Sequence, residues 1–295
     1  MNTLLLHIGP DPAAIALATE LGLRHASIAR HLFPDGEIKL RLPTPLPPRV
    51  ILVRSLDHPN DKLVELLLVA RTARQLGARE LVLVAPYLAY MRQDMAFAPG
   101  EAVSQRVIGD FLAREFDAVV TVDPHLHRTD TLVTAVPARQ ALALSAAPAI
   151  GAYLAARGGR PVLIGPDAES EQWVAQVAAA AGLEHHVCHK TRFGDREVEV
   201  GLAEVDLAGR HCVILDDVAS TGRTVAACAR LLRQRGAAQV DVAVTHALFV
   251  GDALAELARA GVSDVLSTDS IAHPSNRIAL APLLAAAVSS LAAAG

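Results

Sequence analysis

At 295 residues, 52% of them hydrophobic, the chain is long enough for one large domain or two of about 150 residues with a sizeable core. Only 3% are aromatic, so that core must be built mainly from Ala, Leu and Val. A net charge of −4 without a basic block argues against nucleic acid as a partner, and no apolar stretch reaches membrane-spanning length without charges or helix breakers.

In chain order, Thr3 to Ile8 predicts a strand, and Pro12 to Leu21 a helix with Pro near its start and Gly22 just past its end. Phe33-Pro34-Asp35-Gly36-Glu37 is a turn signal, followed by alternation at Ile38, Leu40 and Leu42. After a proline-rich connection come a buried strand at Val50 to Val53, a helix at Asn60 to Leu76 and a strand at Leu81 to Ala85. That strand runs into a polar loop with Arg92, Gln93 and Asp94. A helix from Val103 to Glu115 and a strand from Ala118 to Val122 follow, the strand ending in Asp123-Pro124-His125.

The second half repeats the alternation. Helices are predicted at Ser145 to Ala156, Glu169 to Ala181, Thr224 to Arg235 and Asp252 to Ala260. Strands are predicted at Pro161 to Ile164, His185 to His189, Glu197 to Val200, Cys212 to Leu215, Val240 to Thr245 and Val265 to Ser267. Lys190 to Arg196 is expected as a polar, mobile loop. The Ala-rich tail, Ala279 to Gly295, is expected as a packed terminal helix. Such alternation implies an α/β fold with mainly parallel sheets covered by helices. The pause between Pro137 and Ser145 suggests an N-terminal domain over 1–142 and a C-terminal domain over 143–295, with the last helix packing on the first domain. The halves are expected to be diverged copies without a residue-level repeat. In open α/β sheets ligands sit beyond the carboxyl ends of the strands, and Arg92, Asp123, His125, Asp167 and Asp216 all fall there.

Arg210 to Thr224 carries the sharpest signal. An apolar run, Cys212 to Leu215, meets the adjacent carboxylates Asp216 and Asp217; a small-residue turn, Ala219 to Gly222, leads into a helix. Backbone amides in such a loop, aimed with a helix N-terminus, bind an anion, and Ser220, Thr221 and Thr224 add hydroxyl donors. Carboxylates repel phosphate, so the twin acids must serve sugar hydroxyls or a divalent metal. Ribose 5-phosphate satisfies the whole stretch.

The other clusters are less specific. Asp123, His125 and Asp167 suit Mg²⁺, held directly or through water, and equally suit solvated strand-end turns. Arg92 offers a guanidinium for phosphate and Gln93 an amide for a base edge. Lys190 and Arg192 put two cations where they would neutralise a transferring group, or simply line a solvated loop. Phe33, with Asp35 and Glu37, suits either a purine or a plain hairpin turn. Cys188, Cys212 and Cys228 show no paired spacing and look like small core hydrophobes in a reducing compartment, the cytoplasm.

Residues 32 to 271 resemble the ribose-phosphate diphosphokinase family, closest to its archaeal-type branch, with the matching blocks in family order: Phe33 to Glu37, Tyr90 to Asp94, Pro99 to Ser104, Asp123 with His125, Gly165 to Asp167, Lys190 with Arg192, and Asp216 to Thr224. The resemblance implies two phosphoribosyltransferase-like domains and conversion of ATP and ribose 5-phosphate to AMP and phosphoribosyl diphosphate. It implies that Phe33, Asp35, Glu37, Arg92, Gln93, Asp94 and His125 bind ATP, with the Phe33 loop reaching a neighbouring subunit of a homo-oligomer. Asp123, His125 and Asp167 would hold Mg²⁺; Lys190 and Arg192 would be catalytic. Asp216, Asp217, Ser220, Thr221, Gly222, Arg223 and Thr224 would bind the sugar phosphate. The sequence departs from the family at Arg223, which replaces a Gly in the phosphate turn, at Met95 and Ala96, and at Glu169-Ser170. A phosphoribosyltransferase and a non-catalytic regulatory paralogue are the alternatives.

Overall fold

Two seven-stranded sheets build the chain, and they share one strand order. The structure is a computed structural model; it describes residues 2–126, 129, 131–193, 197–202 and 205–291, and within these the side chains of 190–193 and 197–200 are not described. The chain divides into two compact units, residues 1–144 with 280–295, and residues 145–279.

In the first unit β1 (Thr3–Ile8) leads through α1 (Pro12–Glu20) to β2 (Arg24–Leu32) and β3 (Ile38–Arg41). Then come β4 (Arg49–Val53), α2 (Pro59–Gln75), β5 (Glu80–Ala85), α3 (Ser104–Glu115), β6 (Ala118–Val122), the short α4 (Leu132–Ala135) and β7 (Gln140–Leu144). The sheet order is β3-β2-β1-β4-β5-β6-β7, parallel except for the β2–β3 hairpin at its edge. β5 and β6 are wholly buried and read Glu-Leu-Val-Leu-Val-Ala and Ala-Val-Val-Thr-Val, as strands covered on both faces must. α2 buries Leu66, Val69, Ala70 and Ala73, one helical stripe, into a core with Leu6, Leu52 and Leu83.

The second unit runs α5 (Ala147–Arg157), β8 (Val162–Gly165), α6 (Glu171–Ala181), β9 (His185–Phe193), β10 (Glu197–Leu202), β11 (His211–Ala219), α7 (Arg223–Gln234), β12 (Gln239–Ala247), α8 (Ala253–Arg259), β13 (Asp264–Thr268) and β14 (Asn276–Ile278). The last helix, α9 (Ala281–Ser290), packs against α1 and so returns to the first unit. Here the order is β10-β9-β8-β11-β12-β13-β14, again with one antiparallel edge hairpin, β9–β10. Each strand stands seven places after its counterpart. The two units therefore repeat one topology. Contrary to the sequence expectation, a residue-level repeat accompanies it: Ile8-Gly9-Pro10-Asp11 at the end of β1 recurs as Ile164-Gly165-Pro166-Asp167 at the end of β8.

Three local expectations are corrected. Lys190 and Arg192 lie in strand β9 rather than in a loop; the backbone pairs them with Val200 and Val198. β2 and β7 are strands where none was predicted. In β2 only Ile28 is buried, so hydrophobic alternation is nearly absent there.

Candidate active site

The carboxyl ends of the strands carry the backbone strain. Among the described residues four non-glycine residues have left-handed backbones, His58 (φ 48°), Tyr90 (φ 64°), Asp123 (φ 37°) and Phe249 (φ 34°), and they follow β4, β5, β6 and β12. Such conformations persist only where surrounding structure enforces them, and they gather at functional sites.

β11 runs four residues beyond the predicted Cys212 to Leu215, through Asp216 and Asp217 to Ala219, so only Ser220 to Gly222 separate it from α7. Gly222 is the N-cap, in the left-handed region at φ 69°, where glycine carries little penalty. Its carbonyl accepts from Ala226 N at 2.8 Å to start the helix. The first amides of α7 have no partner within the helix and face outward from its N-terminus. The hydroxyls of Ser220, Thr221 and Thr224 and the exposed guanidinium of Arg223 make no hydrogen bond or ion pair among the described residues. This is a cluster of free donors on a small-residue loop, suited to phosphate.

Asp216 and Asp217 stand half-buried in the last part of β11, and the Asp217 amide donates to Asp216 Oδ1 at 3.0 Å. Burial pushes the Asp216 carboxyl well above its ordinary range, and the neighbouring Asp217 and Asp167 push the same way. Asp217 and Asp167 thus stand near enough to Asp216 to oppose its charge. Hydroxyl donors or a divalent cation would relieve their repulsion. Among the described residues no group of three or more His, Cys, Asp or Glu side chains could by itself hold a metal ion. The oxygen donors fit Mg²⁺ bound through one or two carboxylates, with phosphate oxygens and water completing its shell.

In the first unit the hairpin tip is preformed and exposes two large apolar side chains beside two carboxylates. Phe33 N donates to Glu37 O at 2.8 Å and Glu37 N to Asp35 Oδ1 at 3.1 Å. The Phe33 ring meets His31 edge-on at 4.7 Å, yet Phe33 is 37% and Leu32 54% exposed. Arg92 is exposed and forms no ion pair or hydrogen bond among the described residues. Gln93 turns its side-chain amide onto Met95 O at 3.1 Å, and its backbone carbonyl accepts from Gln105 N at 3.2 Å, which pins the Arg92 loop to α3. Asp94 is half-buried beside it. After β6, Asp123 N donates to Leu144 O at 2.8 Å, and Asp123 and His125 are both half-buried. Asp123 and His125 belong to the first unit; Asp167, Asp216 and the phosphate loop belong to the second. The side chains of Lys190 and Arg192 lie outside the described residues.

One supporting element escapes sequence reasoning. The segment after β12 braces the phosphate loop: Phe249 N donates to Ala219 O at 2.9 Å and Val250 N to Ser220 O at 3.0 Å. Ala253 then packs 3.6 Å from where a side chain on Gly222 would begin. No motif marks this segment, because backbone atoms do the bracing.

Comparison with known proteins bears on this arrangement. Residues 10–115 match the family model of the N-terminal domain of ribose phosphate pyrophosphokinase, and residues 133–272 match the phosphoribosyl transferase domain. A ribose-phosphate pyrophosphokinase of Methanopyrus kandleri is 39% identical over 279 residues, spanning 93% of this chain and 94% of that one. One of Methanosarcina mazei is 34% identical over 292 residues, spanning 97% and 96%. The crystal structure of phosphoribosylpyrophosphate synthetase from Mycobacterium smegmatis superposes with a TM-score of 0.83 at 25% identity, covering 98% of each chain.

Proposed function

The chain belongs to the ribose-phosphate pyrophosphokinase family, and we propose that it transfers the diphosphoryl group of ATP to the 1-hydroxyl of ribose 5-phosphate. The observation that carries this reading is the end of β11, where twin carboxylates lead into a loop of free hydroxyls, outward amides and a left-handed Gly222. Amides of the loop, with Ser220, Thr221 and Thr224, hold the 5-phosphate. Arg223, exposed at the first position of α7, adds a cation at its mouth. Asp216 and Asp217 accept hydrogen bonds from the ribose hydroxyls and so orient the sugar.

In the reaction the 1-oxygen forms a bond to the β-phosphorus of ATP. The bond from that phosphorus to the oxygen bridging it to the α-phosphate breaks, and AMP leaves. Phosphoryl chemistry of this kind is catalysed mainly by positioning and charge neutralisation. Lys190 and Arg192, two residues apart on β9, are assigned to the charge that develops on the transferring group. Arg92 contacts the ATP phosphates. Phe33 stacks on the adenine, with Asp35, Glu37, Gln93 and Asp94 supplying polar contacts around the nucleotide. Asp123 and His125 in the first unit, and Asp167 by itself in the second, would hold Mg²⁺, which when bound neutralises phosphate charge.

The exposed Leu32 and Phe33 at the hairpin tip support a homo-oligomer in which Phe33 serves a nucleotide bound by the neighbouring subunit. No described helix is long and apolar enough to cross a membrane, and the buried free cysteines suit a cytoplasmic enzyme. Purified protein given Mg-ATP and ribose 5-phosphate should form AMP and phosphoribosyl diphosphate. If it instead joins phosphoribosyl diphosphate to a free base and releases diphosphate, the phosphoribosyltransferase alternative takes its place.

A further inference from the structure

The three cysteines of the second unit play no part in the chemistry above. All are free and buried in one core cluster with Ile164, Leu202 and Ala229. Two of them touch. Cys188 on β9 and Cys228 on α7, 40 residues apart in sequence, bring their Sγ atoms to 3.5 Å, and both are 0% exposed. Cys188 lies two residues before Lys190 on the strand that enters the β9–β10 hairpin. Cys228 lies five residues into the helix that starts at the phosphate loop. This one sulfur contact therefore joins the two elements that carry the proposed catalytic cations and the proposed phosphate donors.

We propose that Cys188 and Cys228 are a peroxide-oxidisable pair that closes to a disulfide and, in closing, lowers turnover. The oxidant is a small peroxide. The Cys188 thiolate attacks one peroxide oxygen, the O–O bond breaks, and the sulfur is oxidised to a sulfenic acid as water forms. The Cys228 thiol then attacks that sulfur, and a second water leaves. Two thiols and one hydrogen peroxide thus give one disulfide and two waters. The roles are unequal. The contact with Cys228 holds Cys188 below the usual thiol range, against burial and the Asp167 charge, and the Arg235 charge acts in the same direction as the contact. Cys228 is held well above that range by the same contact and by burial. Cys212 is pushed up to about 11 by burial, which leaves it a poor nucleophile and an internal control. The sulfurs must approach from 3.5 Å to a bond of about 2.0 Å. That movement draws β9 toward α7 and shifts the base of the hairpin relative to the loop.

The full-length protein treated with hydrogen peroxide should lose two of its three thiols together. The thiols are counted after denaturation with further oxidation blocked. Peptide mapping without reductant should find Cys188 linked to Cys228, and dithiothreitol should restore all three thiols. Turnover should fall several-fold in step with the linked fraction and recover on reduction, while Cys228→Ala and Cys188→Ala protein keep their activity under the same peroxide. Retention of three thiols, a link that includes Cys212, over-oxidation of Cys188 without a link, or full activity in fully linked protein would each overturn the proposal. The thiol chemistry is read independently of the proposed function; only the activity arm rests on it.

Discussion

Asp11 and Asp167 close the same tetrapeptide in the two units, yet only Asp11 caps a helix with its side chain: Asp11 Oδ1 accepts from Ala14 N at 3.0 Å, whereas Asp167 makes no such cap. The preceding glycines explain the difference. Gly9 turns left-handed at φ 68° and starts α1 at once; Gly165 has no positive φ and stays in β8, paired with Val187. Asp11→Ala should therefore cost about 1 kcal/mol of stability and leave turnover unchanged. Asp167→Asn should leave stability nearly unchanged and lower turnover strongly. Thermal melts and steady-state rates on both variants check the pair; equal rates for Asp167→Asn and wild type would remove Asp167 from the site.

Asp216 gives the protein a pH signature. Its carboxyl is raised above the ordinary value of 3.8 by burial and by Asp217 and Asp167. The folded state thus holds a proton that the unfolded chain has released, and this contribution to stability falls as pH rises from about 3.8 through the raised value. Asp216→Asn should flatten that part of the stability curve and weaken ribose 5-phosphate binding. Melting profiles across about pH 4 to 8, with calorimetry on the sugar phosphate, test both effects. An unchanged slope would mean that Asp216 ionises normally.

The cations on β9 should matter for rate and little for binding. Lys190→Ala should lower turnover on the order of 10³-fold, as loss of a charge-stabilising cation does in phosphoryl transfer, with nucleotide affinity largely kept. Arg192→Ala should behave alike. Rapid-mix rates and nucleotide titrations separate the two quantities, and wild-type turnover in Lys190→Ala protein would remove that residue from its role.

Phe33 is predicted to act across a subunit boundary. The active protein should sediment as an oligomer, and Phe33→Ala should raise the KM for ATP much more than that for ribose 5-phosphate. Co-assembly of Phe33→Ala subunits with Lys190→Ala subunits should recover activity, because some sites would then draw each intact group from a different chain. An active monomer would refute the arrangement.

The interior of both sheets was legible in the sequence because buried parallel strands are almost continuously apolar, as in Leu81 to Ala85 and Cys212 to Leu215. The small-residue turn before α7 was legible from Ser220, Thr221 and Gly222, but the acids before it lie within β11, where the predicted strand had already ended. The hairpin strands were harder. β2 is exposed at every position but Ala26 and Ile28, so its pairing with β1 leaves little trace in hydrophobicity. The extension of β9 through Lys190 and Arg192 was masked by their charge, which reads as a solvated loop. The brace from Phe249 and Val250 was invisible, since main-chain donors carry no residue code. The repeated Ile-Gly-Pro-Asp was present in the sequence but gained meaning only once β1 and β8 proved to be counterparts.

The central claim is that a diphosphoryl group moves as one piece from ATP to the sugar. Its most direct test supplies ATP isotopically labelled at the β-phosphorus, with ribose 5-phosphate and Mg²⁺, and locates the label after one turnover. The label should appear in phosphoribosyl diphosphate, with an equal amount of unlabelled AMP. Label retained in ADP, or no sugar product at all, would contradict the account.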